Sequence, residues 1–173
     1  MTPEVSSAMS ALHEAALAAA QAADIDPGLL QLIKIRASQI NGCSLSLDRH
    51  TQDARAMGEG EQRIRELRAW RNSKLFTGRE RAALSLTEAI TLVFAGQVPN
   101  EVYAEAARQF EETQLAALIW AATVINAHNR IAITTRLEGS GAPPDPAARG
   151  AASAGSRSMW WTSARVADQD LPA

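Results

Sequence analysis

One cysteine occurs in the chain, Cys43, and it is followed by Ser46 and then by His50 at spacings of three and four residues. A helix advances about 100° per residue, so the thiol, the hydroxyl and the imidazole form one column on a helix face, ~10 Å long. At a helix start, the free amides and the helix dipole stabilise a thiolate and lower the pKa of the thiol below its ordinary value of ~8.5. The spacing therefore indicates thiol chemistry assisted by an imidazole. It also fits a purely structural set, with a small buried cysteine, a helical serine and a partly buried histidine.

Hydrophobic periodicity predicts the helices that must position this column. Apolar residues recur at spacings of three and four from one end of the chain to the other, and no segment alternates as a strand does. Start and stop signals flank the column, because Asp26-Pro27 caps a helix that ends at Asn41-Gly42, and a new helix opens at Cys43 or Ser44. The predicted helices span residues 4–23, 27–41, 43–57, 61–71, 78–96, 100–110 and 115–137. The sequence thus predicts an all-α fold of six to seven helices.

Two of these helices carry more detailed expectations. Thr77 and Glu80 form a capping-box pattern at the start of one helix, and that helix is expected to bury Val93 and Phe94 before it ends at Gly96. The last helix is apolar nearly all round as far as Ile125, which is typical of a central helix.

Composition excludes several classes of protein. Apolar residues make up 46% of the chain, alanine is about one residue in five, and the net charge is −2, so no basic face for nucleic acid is expected. The longest largely apolar run, 115–125, is too short to cross a bilayer, and no secretory signal is recognised, so we expect no membrane association and a cytoplasmic location. A single cysteine excludes an internal disulfide framework and a multi-cysteine zinc site.

The composition changes after Glu138. Residues 139–158 contain only small residues, proline, aspartate and arginine, so they offer no burial to offset the entropy of ordering. We expect a helical domain over 1–138 and a disordered tail over 139–173. Trp160 and Trp161 leave open a docking role for that tail, because aromatic anchors dominate contact energies.

The segment around the cysteine resembles the AhpD-like, or carboxymuconolactone decarboxylase, family. The resemblance rests on Leu32, Arg36, the run Ser38-Gln39-Ile40-Asn41-Gly42-Cys43 and Asp48 to His50, and continues downstream as far as Ile125-Asn126-Ala127, covering roughly residues 25–137. It implies an all-helical fold that assembles into homotrimers or homohexamers. It also implies thiol–disulfide chemistry by a C-x-x-C pair, which reduces hydroperoxides with a thiol reductant or serves a partner peroxidase.

This chain departs from the family pattern at two positions. Ser46 stands where the resemblance places the second cysteine, and Gln31 where it places the glutamate of a proton relay. A serine cannot form a disulfide with Cys43, and a glutamine cannot carry a proton as a carboxylate does. The C-x-x-S sequence also fits an engineered trap for a mixed disulfide, although the coincident Gln31 favours natural loss of the dithiol cycle.

The resulting interpretation is an alkylhydroperoxidase-like protein whose redox turnover is impaired, with Cys43, His50, Ser46 and Gln31 as its site residues. Two alternatives stay open. One is a non-catalytic oligomeric relative that binds or regulates, and the other is a decarboxylase or lactone-processing enzyme in which His50 acts as acid or base.

The other histidines carry weaker expectations. His128 either bridges helices or lines a pocket, and His13 is expected at the surface or in an interface. Because the three histidines are spread along the sequence without a carboxylate pattern, no metal site is expected, and no glycine-rich phosphate loop indicates a cofactor.

Overall fold

The computed structural model describes residues 2–137, and within them it contains seven α-helices, two short 3-10 helices and no strand. The α-helices are α1 (Pro3–Ala22), α2 (Pro27–Asn41), α3 (Ser44–Ala56), α4 (Glu61–Glu66), α5 (Gly78–Thr91), α6 (Asn100–Gln109) and α7 (Glu112–Thr134). The all-α prediction is confirmed. The predicted tail 139–173 lies outside the described residues. No helix within the described part is long and apolar enough to span a membrane.

Helix α2 is the centre of the bundle. It packs against α3, α5 and α7, while α1 packs on α7 and α6 packs on α5. Leu32, Ile33 and Ile35 are fully buried on different sides of α2, as expected for a helix surrounded by others. Two polar side chains of this helix, Gln31 and Lys34, are also buried. Any chemistry they perform therefore takes place inside the bundle.

The turn between α2 and α3 sets the position of the cysteine. Asp26 begins α2 by accepting a hydrogen bond from the Leu29 amide at 2.7 Å. At the other end, Gly42 adopts the left-handed conformation with φ +70°, which glycine reaches without the strain that a side chain would add. The chain then reverses, and Cys43 becomes the N-cap residue of α3. Helix α3 consequently packs back against α2.

Asparagine side chains fasten this turn to α7. Asn41 donates to Asn126 at 2.8 Å, and Asn126 donates in turn to the Thr91 hydroxyl of α5 at 3.0 Å. The Ser38 hydroxyl contacts the Asn129 amide oxygen at 3.3 Å. Asn126, Thr91 and Ser38 are buried and Asn41 is half-buried, so these hydrogen bonds satisfy polar atoms that water reaches poorly and hold the turn against α7.

The predicted capping box at the start of α5 is confirmed, whereas the helix ends earlier than the predicted Gly96. Thr77 accepts from the Glu80 amide and Glu80 accepts from the Thr77 amide. Helix α5 ends at Thr91, and the 3-10 helix Val93–Ala95 carries Val93 and Phe94 to the surface, 50% and 84% exposed. Their predicted burial was wrong because the apolar pattern continues beyond the edge of the bundle, where no helix of residues 2–137 covers it.

Candidate functional site

The predicted column is present at the start of α3. Cys43, Ser46 and His50 are all buried, and the Cys43 thiol donates a hydrogen bond to the Ser46 hydroxyl across 3.3 Å. When the thiol loses its proton, the direction reverses, and the hydroxyl can donate to the thiolate. Ser46 can therefore stabilise the charged form of Cys43, although it cannot form a disulfide with it.

Gln31 reaches His50 from the facing helix. Its side-chain oxygen lies 3.0 Å from the histidine Nδ1. Since an amide oxygen only accepts hydrogen bonds, this contact places the imidazole proton on Nδ1 and leaves Nε2 as the basic nitrogen. Gln31 thus orients the ring but supplies no proton of its own. The structure brings all four predicted site residues into two contacting pairs, Cys43 with Ser46 and Gln31 with His50.

His50 is held neutral. Burial is the main cause that lowers its pKa well below 6.5, and the positive charges of Lys34 and Arg49 lower it further. The Asp53 carboxylate lies 3.8 Å from Nδ1, beyond hydrogen-bonding distance. At neutral pH the ring is therefore a base able to take a proton, and it is not an acid.

Sequence reasoning missed Lys34. It is only 5% exposed, and burial lowers its pKa to about 8, with Asp53 opposing and Arg49 adding to the effect. A lysine in the middle of an otherwise apolar stretch, Leu32 to Ile35, was the available signal, since lysine is almost never fully buried without a partner.

The histidines are not spread out in space. The rings of His13 on α1 and His128 on α7 meet edge to face with centroids 5.4 Å apart, and both act electrostatically on His50. Burial is the first cause lowering both pKa values, that of His13 to about 4. His13 is half-buried where α1 packs on α7. For His128, the structure favours the pocket-lining alternative.

These side chains do not form a metal centre within residues 2–137, where no group of three or more histidine, cysteine, aspartate or glutamate side chains is arranged to hold an ion. A groove of about 460 Å³ passes beside the cysteine. Its wall includes Gly42 and Ser44, the two neighbours of Cys43, together with the guanidinium-bearing Arg36 and Arg68. The groove therefore gives solvent access beside the thiol-bearing turn.

Comparisons with known proteins agree with this architecture. The model of the carboxymuconolactone decarboxylase family matches residues 3–89. The uncharacterized protein YdfG of Bacillus subtilis (strain 168) is 47% identical over 103 residues, which is 60% of this chain and 70% of that protein. A crystal structure from Agrobacterium tumefaciens, of a protein of unknown function described as "Putative Antioxidant Defence Protein AhpD", superposes with a TM-score of 0.74 at 31% identity, covering 80% of this chain and 92% of that one.

Proposed function

Because the chain belongs to the carboxymuconolactone decarboxylase family, we propose that it is an AhpD-like single-thiol protein in which Cys43 reacts with a hydroperoxide. The observation that carries the proposal is the hydrogen bond of 3.3 Å that the buried Cys43 thiol donates to the Ser46 hydroxyl, on a helix that also carries a neutral histidine oriented by Gln31. This is the arrangement of an activated nucleophile, a base and a group that orients the base.

The first step oxidises the thiol. The Ser46 hydroxyl, which accepts the hydrogen bond of the thiol, relays the thiol proton to His50 one turn further along α3. The Cys43 thiolate then attacks the terminal peroxide oxygen, so that a sulfur–oxygen bond forms while the O–O bond breaks. The alkoxide that leaves takes back the proton, which gives an alcohol and a sulfenic acid on Cys43. The Ser46 hydroxyl stabilises the thiolate before this attack.

The second step needs a thiol from outside. A thiol reductant condenses with the sulfenic acid to give a mixed disulfide and water, and a second thiol releases Cys43 and carries away the disulfide. Members with a C-x-x-C pair resolve the intermediate internally, whereas Ser46 cannot. We therefore expect one fast oxidation event followed by slow multiple turnover.

Sulfenic acid trapping tests this proposal. Treatment with one equivalent of an alkyl hydroperoxide and a cyclic 1,3-dione probe is expected to label the chain once at Cys43, and Cys43→Ser should remove the label. Ser46→Ala should slow labelling about tenfold, because a hydrogen bond to a charged group contributes about 1.5 kcal/mol or more. Ser85→Ala, on α5, is the control and should label at the normal rate. Absence of label from the unmodified chain would contradict the proposal and favour a non-catalytic relative.

Assembly into trimers or hexamers is also part of the proposal. Large apolar side chains are exposed on the mutually packed helices α1 and α7, namely Val5, Leu12, Leu17, Trp120 and Ile133. A contiguous exposed apolar surface favours association. Light scattering at micromolar concentration is expected to give about three or six times the chain mass of 18.5 kDa. A strict monomer would contradict this prediction.

A further inference from the structure

A small cavity between α1, α2 and α7 is not used by the proposed reaction. Three nitrogen-bearing side chains line it, and the remaining lining residues are apolar, with no carboxylate among them. The nitrogen-bearing side chains are those of His13, Lys34 and His128. The centre of a water-sized sphere can move through about 10 Å³ of the cavity, so its free volume is larger than a single water molecule. Any ligand that enters without rearrangement must therefore be very small.

Lys34 gives the cavity its charge. Its side chain is 5% exposed and makes no ion pair or hydrogen bond within residues 2–137. A buried ammonium group without a counter-ion is unfavourable, because the lost hydration is not replaced. Burial lowers the pKa of Lys34 to about 8. Because this pKa is still above neutral pH, most Lys34 side chains are protonated there.

The groups around Lys34 do not supply the missing negative charge. Helix α1 contributes His13 and α7 contributes His128, and both are neutral rings with N–H groups. Helix α3 contributes Arg49, which is positive, the neutral His50, and Asp53, which acts on Lys34 without forming an ion pair. On α5, the Glu88 carboxylate is occupied by arginine side chains. The cavity therefore combines a cation, polar N–H donors and apolar walls.

We propose that this cavity binds a small monovalent anion, of the size of chloride or formate, against the Lys34 ammonium group with the His13 and His128 rings beside it. An anion there supplies the counter-charge that the fold lacks. It also offsets the positive charge that acts on His50, so occupancy of the cavity couples to the basicity of the neighbouring site. The inference stands on the cavity residues and does not depend on Cys43 reacting with peroxide.

The composition of the chain makes a direct test possible, because it contains two lysines, Lys34 and the exposed Lys74. Side-chain labelling with ¹³C at Cε gives one NMR signal for each. In a zwitterionic buffer, sodium formate and sodium chloride are titrated separately, with sodium sulfate at matched ionic strength as the comparison. We expect a saturable shift of the Lys34 signal and a rise in its pKa with at least one of the two monovalent anions. The Lys74 signal should stay unchanged, and sulfate, which is divalent and too large, should have no effect.

Two variants complete the test. A bound anion should stabilise the folded protein and raise its melting temperature. Lys34→Met, which has a side chain of similar length but no ammonium group, should abolish this stabilisation, whereas Lys74→Met should retain it. If Lys34→Met fails to fold, the two-signal titration of the unmodified chain decides alone. A Lys34 signal that shifts saturably with chloride and not with formate would identify a halide site. A signal that shifts with formate and not with chloride would identify a carboxylate site. A Lys34 signal that responds to all three salts equally, or to none, would show that the cavity holds water only and would overturn the inference.

Discussion

A Ser46→Cys, Gln31→Glu double variant is expected to reduce an alkyl hydroperoxide, with a dithiol reductant, at least ~100-fold faster than the unmodified chain over many turnovers. The Ser46 hydroxyl lies 3.3 Å from the Cys43 sulfur, so a thiol at position 46 lies within reach of a disulfide after a small rotation. Ser46→Cys alone should permit that disulfide. Gln31→Glu should be needed as well, because a carboxylate 3.0 Å from His50 can relay protons in and out of a buried ring.

Controls separate the two substitutions from the mere addition of a thiol. Ser44→Cys, combined with Gln31→Glu, places a second thiol on the same helix at an exposed position and should leave turnover low. Stopped-flow consumption of peroxide measures the rate, and mass spectrometry after alkylation reports the disulfide. Fast peroxide consumption by the unmodified chain over many turnovers would show that Ser46 and Gln31 lower the activity less than we infer. A double variant that forms the disulfide yet stays inert would show that the site lacks another group.

Glu88→Ala is expected to lower the free energy of unfolding by about 3 kcal/mol, the range found when one partner of a buried ion pair is removed. The Glu88 carboxylate accepts hydrogen bonds from Arg36 at 2.6 Å, from the Trp70 indole at 2.8 Å and from Arg71. Removing it leaves the largely buried Arg36 charge and the indole N–H without partners. Urea denaturation measures the change. Glu105→Ala, which breaks an exposed pair with Arg108, should change the free energy of unfolding far less, because exposed ion pairs contribute little.

The difference in free energy of unfolding between Glu88→Ala and the unmodified chain should depend on pH. Burial raises the pKa of Glu88, but the hydrogen bonds from Trp70, Arg71 and Arg36 outweigh it and hold the pKa below the ordinary value of 4.5. A carboxylate whose pKa is lower in the folded state stabilises fully above the unfolded value and loses that contribution as the pH falls through the folded value. The difference in free energy of unfolding should therefore begin to shrink once the pH falls below the ordinary value of 4.5. A difference that stays constant down to pH 3 would contradict the ionic role of Glu88.

Local patterns in the sequence account for part of the site. Cys43, Ser46 and His50 lie on one helix, so their alignment follows from helical spacing alone. The contact between Gln31 and His50 spans two helices, and only the family resemblance indicated it. The meeting of Lys34 with His13 and His128 depends on how α1 and α7 pack against α2, and helical periodicity carries no information about which helices become neighbours.

The difference between contacts within one helix and contacts between helices also explains which predictions for α5 are confirmed and which are wrong. Its capping box is a contact between residues three apart, which the sequence specifies directly. The burial of Val93 and Phe94 depends on whether another element covers them, and none within the described residues does so fully, since both are at least half exposed. Periodicity predicts which face of a helix is apolar, but not where the bundle around it stops.

The close fit of Ser46 and Gln31 into their contacts has a genetic consequence. Serine differs from cysteine, and glutamine from glutamate, by one heavy atom, so exchange at either position changes the chemistry of the contacts at 3.3 and 3.0 Å with little change in side-chain shape. Serine and cysteine codons can differ by a single base, and glutamine and glutamate codons differ at the first base only. Two point mutations can therefore convert between this set of residues and a complete dithiol set, and a lineage can lose or regain that chemistry without rebuilding the fold.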